Sequence, residues 1–232
     1  MKRELLILPA AAVLAVSACK KPAESRAADG AGTAGAPRST VSAAPPAAAT
    51  DAEPTAAAKA TPQDADRAKR QAKLDFATME DGYINDSNGQ WATTAKASSA
   101  YGNSYKPGTD PGVCGAPDGK HWTNHSPDIG FEWVELSYDR PVSATEVRVV
   151  FDNDTPHGVR AINKIELIDN DGQTHSVWSG LSDAVEDKRG GRTWFVRKFE
   201  STPYLAKGVR VTIANAVDSG YKYVDAVQLV GK

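Results

Sequence analysis

The first aromatic residue of this 232-residue chain is Phe76: all five Trp, seven Tyr and five Phe, with the four His, lie at or after it. A folded core needs large apolar side chains whose burial offsets the entropy of ordering the backbone. Residues 1–75 therefore cannot form a globular unit of their own, and the function falls to the part that follows. Charge divides at the same place. Residues 75–232 carry 22 acidic and 16 basic side chains and residues 1–74 carry 7 and 11, within an overall charge of −2. That balance argues against nucleic acid as a partner, since binding to the phosphate backbone needs basic surface.

The N-terminus has its own logic. Lys2 and Arg3 precede an apolar stretch from Leu5 to Val16, long enough for a secretory signal and too short to span a bilayer. It ends in Val16-Ser17-Ala18-Cys19, which resembles the bacterial lipobox. The resemblance implies a signal peptide over 1–18, cleavage before Cys19, and a covalent lipid on its sulfur. Two or three acyl chains, each contributing ~0.8 kcal/mol per buried methylene, make such an anchor stable where one chain would not. In that family the next residue influences sorting, and Lys20 in place of Asp favours the outer membrane, on either face. Residues 19–74 then form a tether. Over positions 20–70 there are 18 Ala and 6 Pro, too little apolar bulk for a core and too much Pro for one continuous helix. This is a disordered Ala/Pro-rich linker, with a short helical lead-in predicted over Asp64–Lys73, after Pro62.

From residue 75 to 232 the pattern changes to short β-like runs. Strands are predicted at Ala92–Ser98, Glu132–Tyr138, Thr145–Phe151, Lys164–Ile168, Gln173–Trp178, Trp194–Glu200, Val209–Ala214 and Tyr223–Val230. Val147, Val149 and Phe151 alternate with Glu146 and Arg148, and Val209, Val211 and Ile213 with Arg210 and Thr212, as half-buried strands do. Asp169-Asn170-Asp171-Gly172 is a hairpin signal. The reading is an all-β, antiparallel jelly-roll β-sandwich.

An ordered series of residues resembles the galactose-binding-like superfamily (discoidin, or coagulation factor 5/8 type C). It runs Ala97-Ser98-Ser99-Ala100-Tyr101, Gly115-Ala116-Pro117-Asp118-Gly119 with Trp122, Trp133-Val134-Glu135-Leu136, Pro141-Val142, Ile165-Glu166-Leu167 and Val224-Asp225-Ala226-Val227-Gln228-Leu229. Members bind sugars, glycans, lipids or proteins through loops at one end of the sandwich, and fold alone does not choose among these. The resemblance also implies a structural Ca²⁺, with Asp118 and Asp225 as acids and Gly115, Ala116 and Lys120 as carbonyl donors; Asp118 could equally cap its turn.

Three groups of side chains suit a ligand. His121, with Trp122, Asn124 and His125, offers the aromatic and polar groups that sugars need, although Trp122 matches a position that packs in the core. His157 lies in a loop between predicted strands. Arg192 and Trp194 follow Gly190-Gly191, where glycines would let the backbone approach a ligand and Arg could clamp a diol or carboxylate. Asp152-Asn153-Asp154 and Asp169–Gly172 lack the closing Glu of a calcium loop and read as turns. Cys114, with Cys19 lipidated, reads as a buried or idle thiol. No nucleophile elbow, metalloprotease helix, phosphate loop or dinucleotide fingerprint is present in the sequence. The expectation is a non-enzymatic, monomeric, lipid-anchored module that binds carbohydrate or envelope glycan, a protein-binding or scaffold lipoprotein being the alternative and a glycan-active enzyme the third.

Overall fold

The computed structural model describes residues 61–102, 106, 109–152 and 158–232. Cys19, the signal segment, most of the tether and His157 lie outside these residues.

Helix α1 spans Pro62–Ile84. Thr61 caps it by accepting the Asp64 backbone N–H while the Asp64 carboxylate accepts the Thr61 N–H at 3.0 Å, a reciprocal capping box with Pro at the first position. The expected lead-in is therefore helical, but the helix runs further. Residues 62–74, expected within the disordered tether, are helical because no Gly or Pro interrupts the run after Pro62. Apart from half-buried Ala72, the helix is exposed up to Phe76, its first buried residue.

Nine strands follow among the described residues: β1 (Gly89–Trp91), β2 (Thr94–Ala97), β3 (Trp122–Thr123), β4 (Phe131–Asp152), β5 (Ile162–Asp169), β6 (Thr174–Ser179), β7 (Arg192–Lys198), β8 (Leu205–Ala214) and β9 (Tyr223–Gly231). Every pairing is antiparallel. One sheet is ordered β2-β4-β8-β5-β6, and the other β7-β4-β9 with β1 and β3 both beside β9. The expected antiparallel sandwich is present, with two corrections. The strands predicted at Glu132–Tyr138 and Thr145–Phe151 are one 22-residue strand, β4. Its first half pairs with β2 and β8, and from Ala144 onward it pairs with β9 and β7. Pro141 falls in the irregular stretch between Ser137 and Val142, where a missing N–H breaks no ladder bond. The short β1 and β3 were not predicted, since two or three residues carry no readable period.

The alternation seen in the sequence holds. Val134, Leu136, Val147, Val149, Phe151, Val209, Val211, Ile213, Val224, Val227 and Leu229 fill one core between the sheets. Trp122 is fully buried there, its indole N–H donating to the Ser99 carbonyl at 2.8 Å. The predicted hairpin joins β5 to β6, with Gly172 at φ +80° and the Asp169 carboxylate accepting the N–H groups of Asp171 and Gln173, a side-chain mimic of a turn.

The outward face of the β7-β4-β9 sheet is covered by α1. Phe76, Glu80 and Tyr83 fall on one side of the helix by their spacing. Phe76 seats against Gly190, where an added Cβ would lie 2.1 Å from the ring. Arg148 lies 4.3 Å from the centre of the Tyr83 ring and bonds Asp86 at 2.8 Å and Glu146 at 2.5 Å. The Tyr83 carbonyl, near the helix C-terminus, accepts from Gln228 at 2.8 Å, which satisfies one of the acceptors a helix end leaves open. Glu146 and Arg148 are accordingly buried as well as outward-facing.

Candidate ligand-binding site

Strand pairing gathers the longer loops at one end of the sandwich. Phe131 is opposite Ala214, Ile162 opposite Ile213, Asp152 opposite Arg192, and Thr123 opposite Tyr223. The connections that join Ala97 to Trp122, Thr123 to Phe131, Ser179 to Arg192 and Ala214 to Tyr223 therefore begin and end at this end, with Asp152 and Gly158.

Two ring pairs stand here. Tyr101, 62% exposed, meets Tyr221 edge-on with centroids 4.8 Å apart. His121, just before β3, lies 4.2 Å from the ring of Tyr223, at the start of β9. The pairing of β3 with β9 brings them together, and the Tyr101 N–H donates to the Thr123 carbonyl at 2.8 Å. Among the described residues, Nδ1 of His121 and Oγ of Ser99 are buried polar atoms without a hydrogen-bond partner. Such atoms are uncommon in folded proteins and mark places where a further partner would be accommodated.

The scaffold under these rings is polar and tightly bonded. Lys222, between the two tyrosines, is 0% exposed, and its ammonium donates to the carbonyls of Pro127 (2.7 Å), Gly220 (2.7 Å) and Asn215 (3.1 Å). Burial lowers its pKa below the usual lysine value, against the upward pull of Asp218, Asp128 and Glu132. Asn124, also buried, accepts the Lys222 N–H at 2.8 Å and donates to Asn215 at 3.0 Å. The Glu132 carboxylate accepts the N–H groups of His125 and Ser126. His125 is exposed and Asn124 acts within the scaffold, so of this group His121 alone joins the ring cluster.

Arg192 and Trp194 are placed differently. The Trp194 ring is 5.1 Å from Tyr83 and 6.3 Å from Trp91, under helix α1, with its N–H 3.3 Å from the Glu80 carboxylate. Arg192 reaches Glu80 at 3.4 Å and Asp225 at 3.2 Å. Gly190, read as freedom for a ligand, instead makes room for Phe76. The structure therefore groups Arg192 and Trp194 with the helix–sheet contact and not with His121.

The expected calcium ligands do not fit a cation as arranged. Asp225 is fully buried, and its carboxylate accepts the backbone N–H of Asp118 at 3.0 Å, that of Gly119 at 3.2 and 3.3 Å, and the Arg192 Nε–H at 3.2 Å. Asp118 accepts the Lys120 N–H at 3.0 Å. The 118–119 turn presents N–H groups toward Asp225, whereas calcium needs oxygens. Gly115 is buried and donates its N–H to the Ala92 carbonyl at 3.0 Å. Cys114 is buried and disulfide-bonded, which corrects the idle-thiol reading; the described residues contain no second cysteine.

No family model and no curated protein matches the chain. Solved structures of similar layout exist. One is the family 32 carbohydrate-binding module of NanJ from Clostridium perfringens in complex with galactose, 17% identical over 63% of this chain and 96% of that one, with a TM-score of 0.43. A second is the GH89 CBM32-5 module from the same organism in complex with GalNAc-β-1,3-galactose, 13% identical over 62% and 96%, at 0.46. A third is an F5/8 type C domain from Bacteroides fragilis, 16% identical over 63% and 98%, at 0.48. What these likenesses concern is the arrangement of strands.

Proposed function

We propose that this chain is a lipid-anchored, non-catalytic module that binds carbohydrate at the loop end of its sandwich. The observation that carries the reading is the open ring cluster of Tyr101, Tyr221, His121 and Tyr223, with an unpaired ring nitrogen beneath it. An aromatic face stacks on the apolar C–H face of a sugar, and imidazole and phenol groups bond its hydroxyls. His157, which lies outside the described residues, is the remaining contact proposed from the sequence. Galactose and N-acetylgalactosamine, named with the similar modules, are the first probes, within a glycan array that includes envelope glycans. Tyr101→Ala and His121→Ala are each expected to weaken a hit about tenfold, which corresponds to ~1.4 kcal/mol, while leaving the melting temperature near wild type. An array without hits for the folded protein refutes the reading.

The anchor is proposed from the sequence. Cys19 carries a diacylglycerol thioether that holds the module at the outer membrane. Cys19 is the sequence's one cysteine besides Cys114, so its lipidation and a disulfide of Cys114 within the chain exclude each other. The intact mass of the N-terminal peptide decides between them, and an unmodified or disulfide-linked Cys19 refutes the anchor.

A second reading, a protein partner held at the same end, is favoured by exposed apolar side chains there. Ile129 is 73% and Phe131 68% exposed, and the Ile129 carbonyl accepts from Asn215, two residues before the exposed Val217. Crosslinking in cells to one dominant protein, abolished by Phe131→Ser, would support it.

A further inference from the structure

The sequence resemblance leads to a metal at Asp225, and the structure has a guanidinium there. A fully buried carboxylate requires compensating charge or several N–H donors, because isolated burial of the ion is very costly. Asp225 has both. Its four hydrogen bonds come from Asp118, Gly119 and Arg192, and the donor from Arg192 carries positive charge. A divalent cation holds a loop by collecting carbonyl and carboxylate oxygens around one point; here the 118–119 turn is reversed and donates N–H groups to the acid itself. The positive charge arrives from β7 on a guanidinium, a group that carries its charge permanently in proteins.

The guanidinium also does something a single loop-bound ion would not. Its planar fork reaches two carboxylates at once, Asp225 through Nε at 3.2 Å and Glu80 through Nη1 at 3.4 Å. Glu80 belongs to α1, and its same oxygen lies 3.3 Å from the Trp194 Nε1–H. One residue thus joins four parts of the fold: the helix that leads in from the tether, β7, β9, and the 115–120 loop that runs directly into His121.

We propose that Arg192 is the built-in cation of this fold. It replaces a divalent ion at Asp225, makes the 115–120 loop independent of calcium, and fastens α1 to that loop. The inference does not depend on which ligand the loop end binds.

The test uses the full chain, purified in detergent. The wild-type melting temperature should be the same in millimolar Ca²⁺ and in chelator, because a cation that binds only the folded state would raise it. Arg192→Ala leaves Asp225 and Glu80 facing a gap without a cation. It should lower the melting temperature by on the order of 5 °C, speed amide exchange at Asp118 and Gly119, and recover part of both on addition of Ca²⁺. Arg192→Lys keeps the charge and loses the fork. It should retain protection at Asp118 and Gly119 while exchange in the α1 segment around Glu80 accelerates, and it serves where the Ala variant fails to fold. A wild-type melting temperature that rises with Ca²⁺ overturns the proposal. So does an Arg192→Ala protein with wild-type melting and wild-type protection at Asp118 and Gly119.

Discussion

Lys222→Met is the most informative single change to the loop end. Methionine keeps an unbranched stem of similar length and removes the ammonium, which donates to three carbonyls from two connecting segments, at Pro127, Asn215 and Gly220. The residue is 0% exposed, so water does not readily take over all three acceptors. Leaving a buried acceptor unpaired costs ~1–3 kcal/mol. Against this, the variant no longer desolvates a charge, which is the reason some buried ionic groups are replaced by apolar ones at little cost. The acceptors here belong to the backbone and cannot be removed with the lysine, so the loss should prevail. A net destabilisation of about 2–4 kcal/mol follows if two of the three carbonyls stay dry. For a domain of this size that corresponds to a fall in melting temperature of about 5–15 °C. Urea unfolding followed by tryptophan fluorescence and thermal unfolding followed by circular dichroism both measure it. Because Tyr221 and Tyr223 flank the substituted position, glycan affinity should fall in parallel. A variant within about 0.5 kcal/mol of wild type, the ordinary range for surface changes, would refute the argument that the ammonium holds this end together.

Gly190→Ala would place a methyl group 2.1 Å from the Phe76 ring; overpacking of this kind costs ~1–3 kcal/mol, and hydrogen exchange should rise chiefly in α1. If exchange instead rises uniformly across the sandwich, the helix does not dock as a separable layer. The hairpin carries a pH dependence. The His175 side chain, with the N–H groups of Gln173 and Asp171, holds the Asp169 carboxyl below its usual value of 3.8 despite some desolvation. A depressed folded-state pKa adds stability above the unfolded value, lost as pH falls through the folded one. The urea midpoint should therefore drop as pH falls below about 4, and Asp169→Asn should flatten that part of the profile; an unchanged profile would reject the assignment.

How much of this was legible beforehand depends on which interaction a residue serves. Strands with one dry face announced themselves: Val147, Val149 and Phe151 point into the core, as do Val209, Val211 and Ile213. The same alternation misled at the outward positions. Glu146, Arg148 and Gln228 have the polarity of a wet face, yet all are buried, Arg148 and Gln228 against the C-terminal end of α1. Nothing within β4 or β9 reports that cover. It is encoded some 60 residues earlier or more, in Phe76, Glu80 and Tyr83, where only the helical spacing hints at a partner. Arg192 and Trp194 were misplaced for the same reason, since an Arg and a Trp after two glycines suit a ligand loop until the helix supplies Glu80 and Tyr83 as their neighbours.

The ring cluster escaped notice for a different reason. Tyr101 follows a Ser/Ala run and Tyr221 follows a Ser-Gly turn, so neither has periodicity to place it. The two come within 4.8 Å only because residues 120 positions apart share the end at which β3 pairs with β9. What the sequence did offer was Tyr221-Lys222-Tyr223, two aromatics around a lysine at the start of a strand that is apolar from Val224 onward but for Asp225 and Gln228. Alternation puts both rings on the side opposite the lysine. The lysine is the buried member, its ammonium taken up by carbonyls, and this leaves the tyrosines to line the open end. A buried cation and a half-buried aromatic pair are therefore two consequences of one three-residue pattern, which is why the substitution of Lys222 bears on both stability and binding.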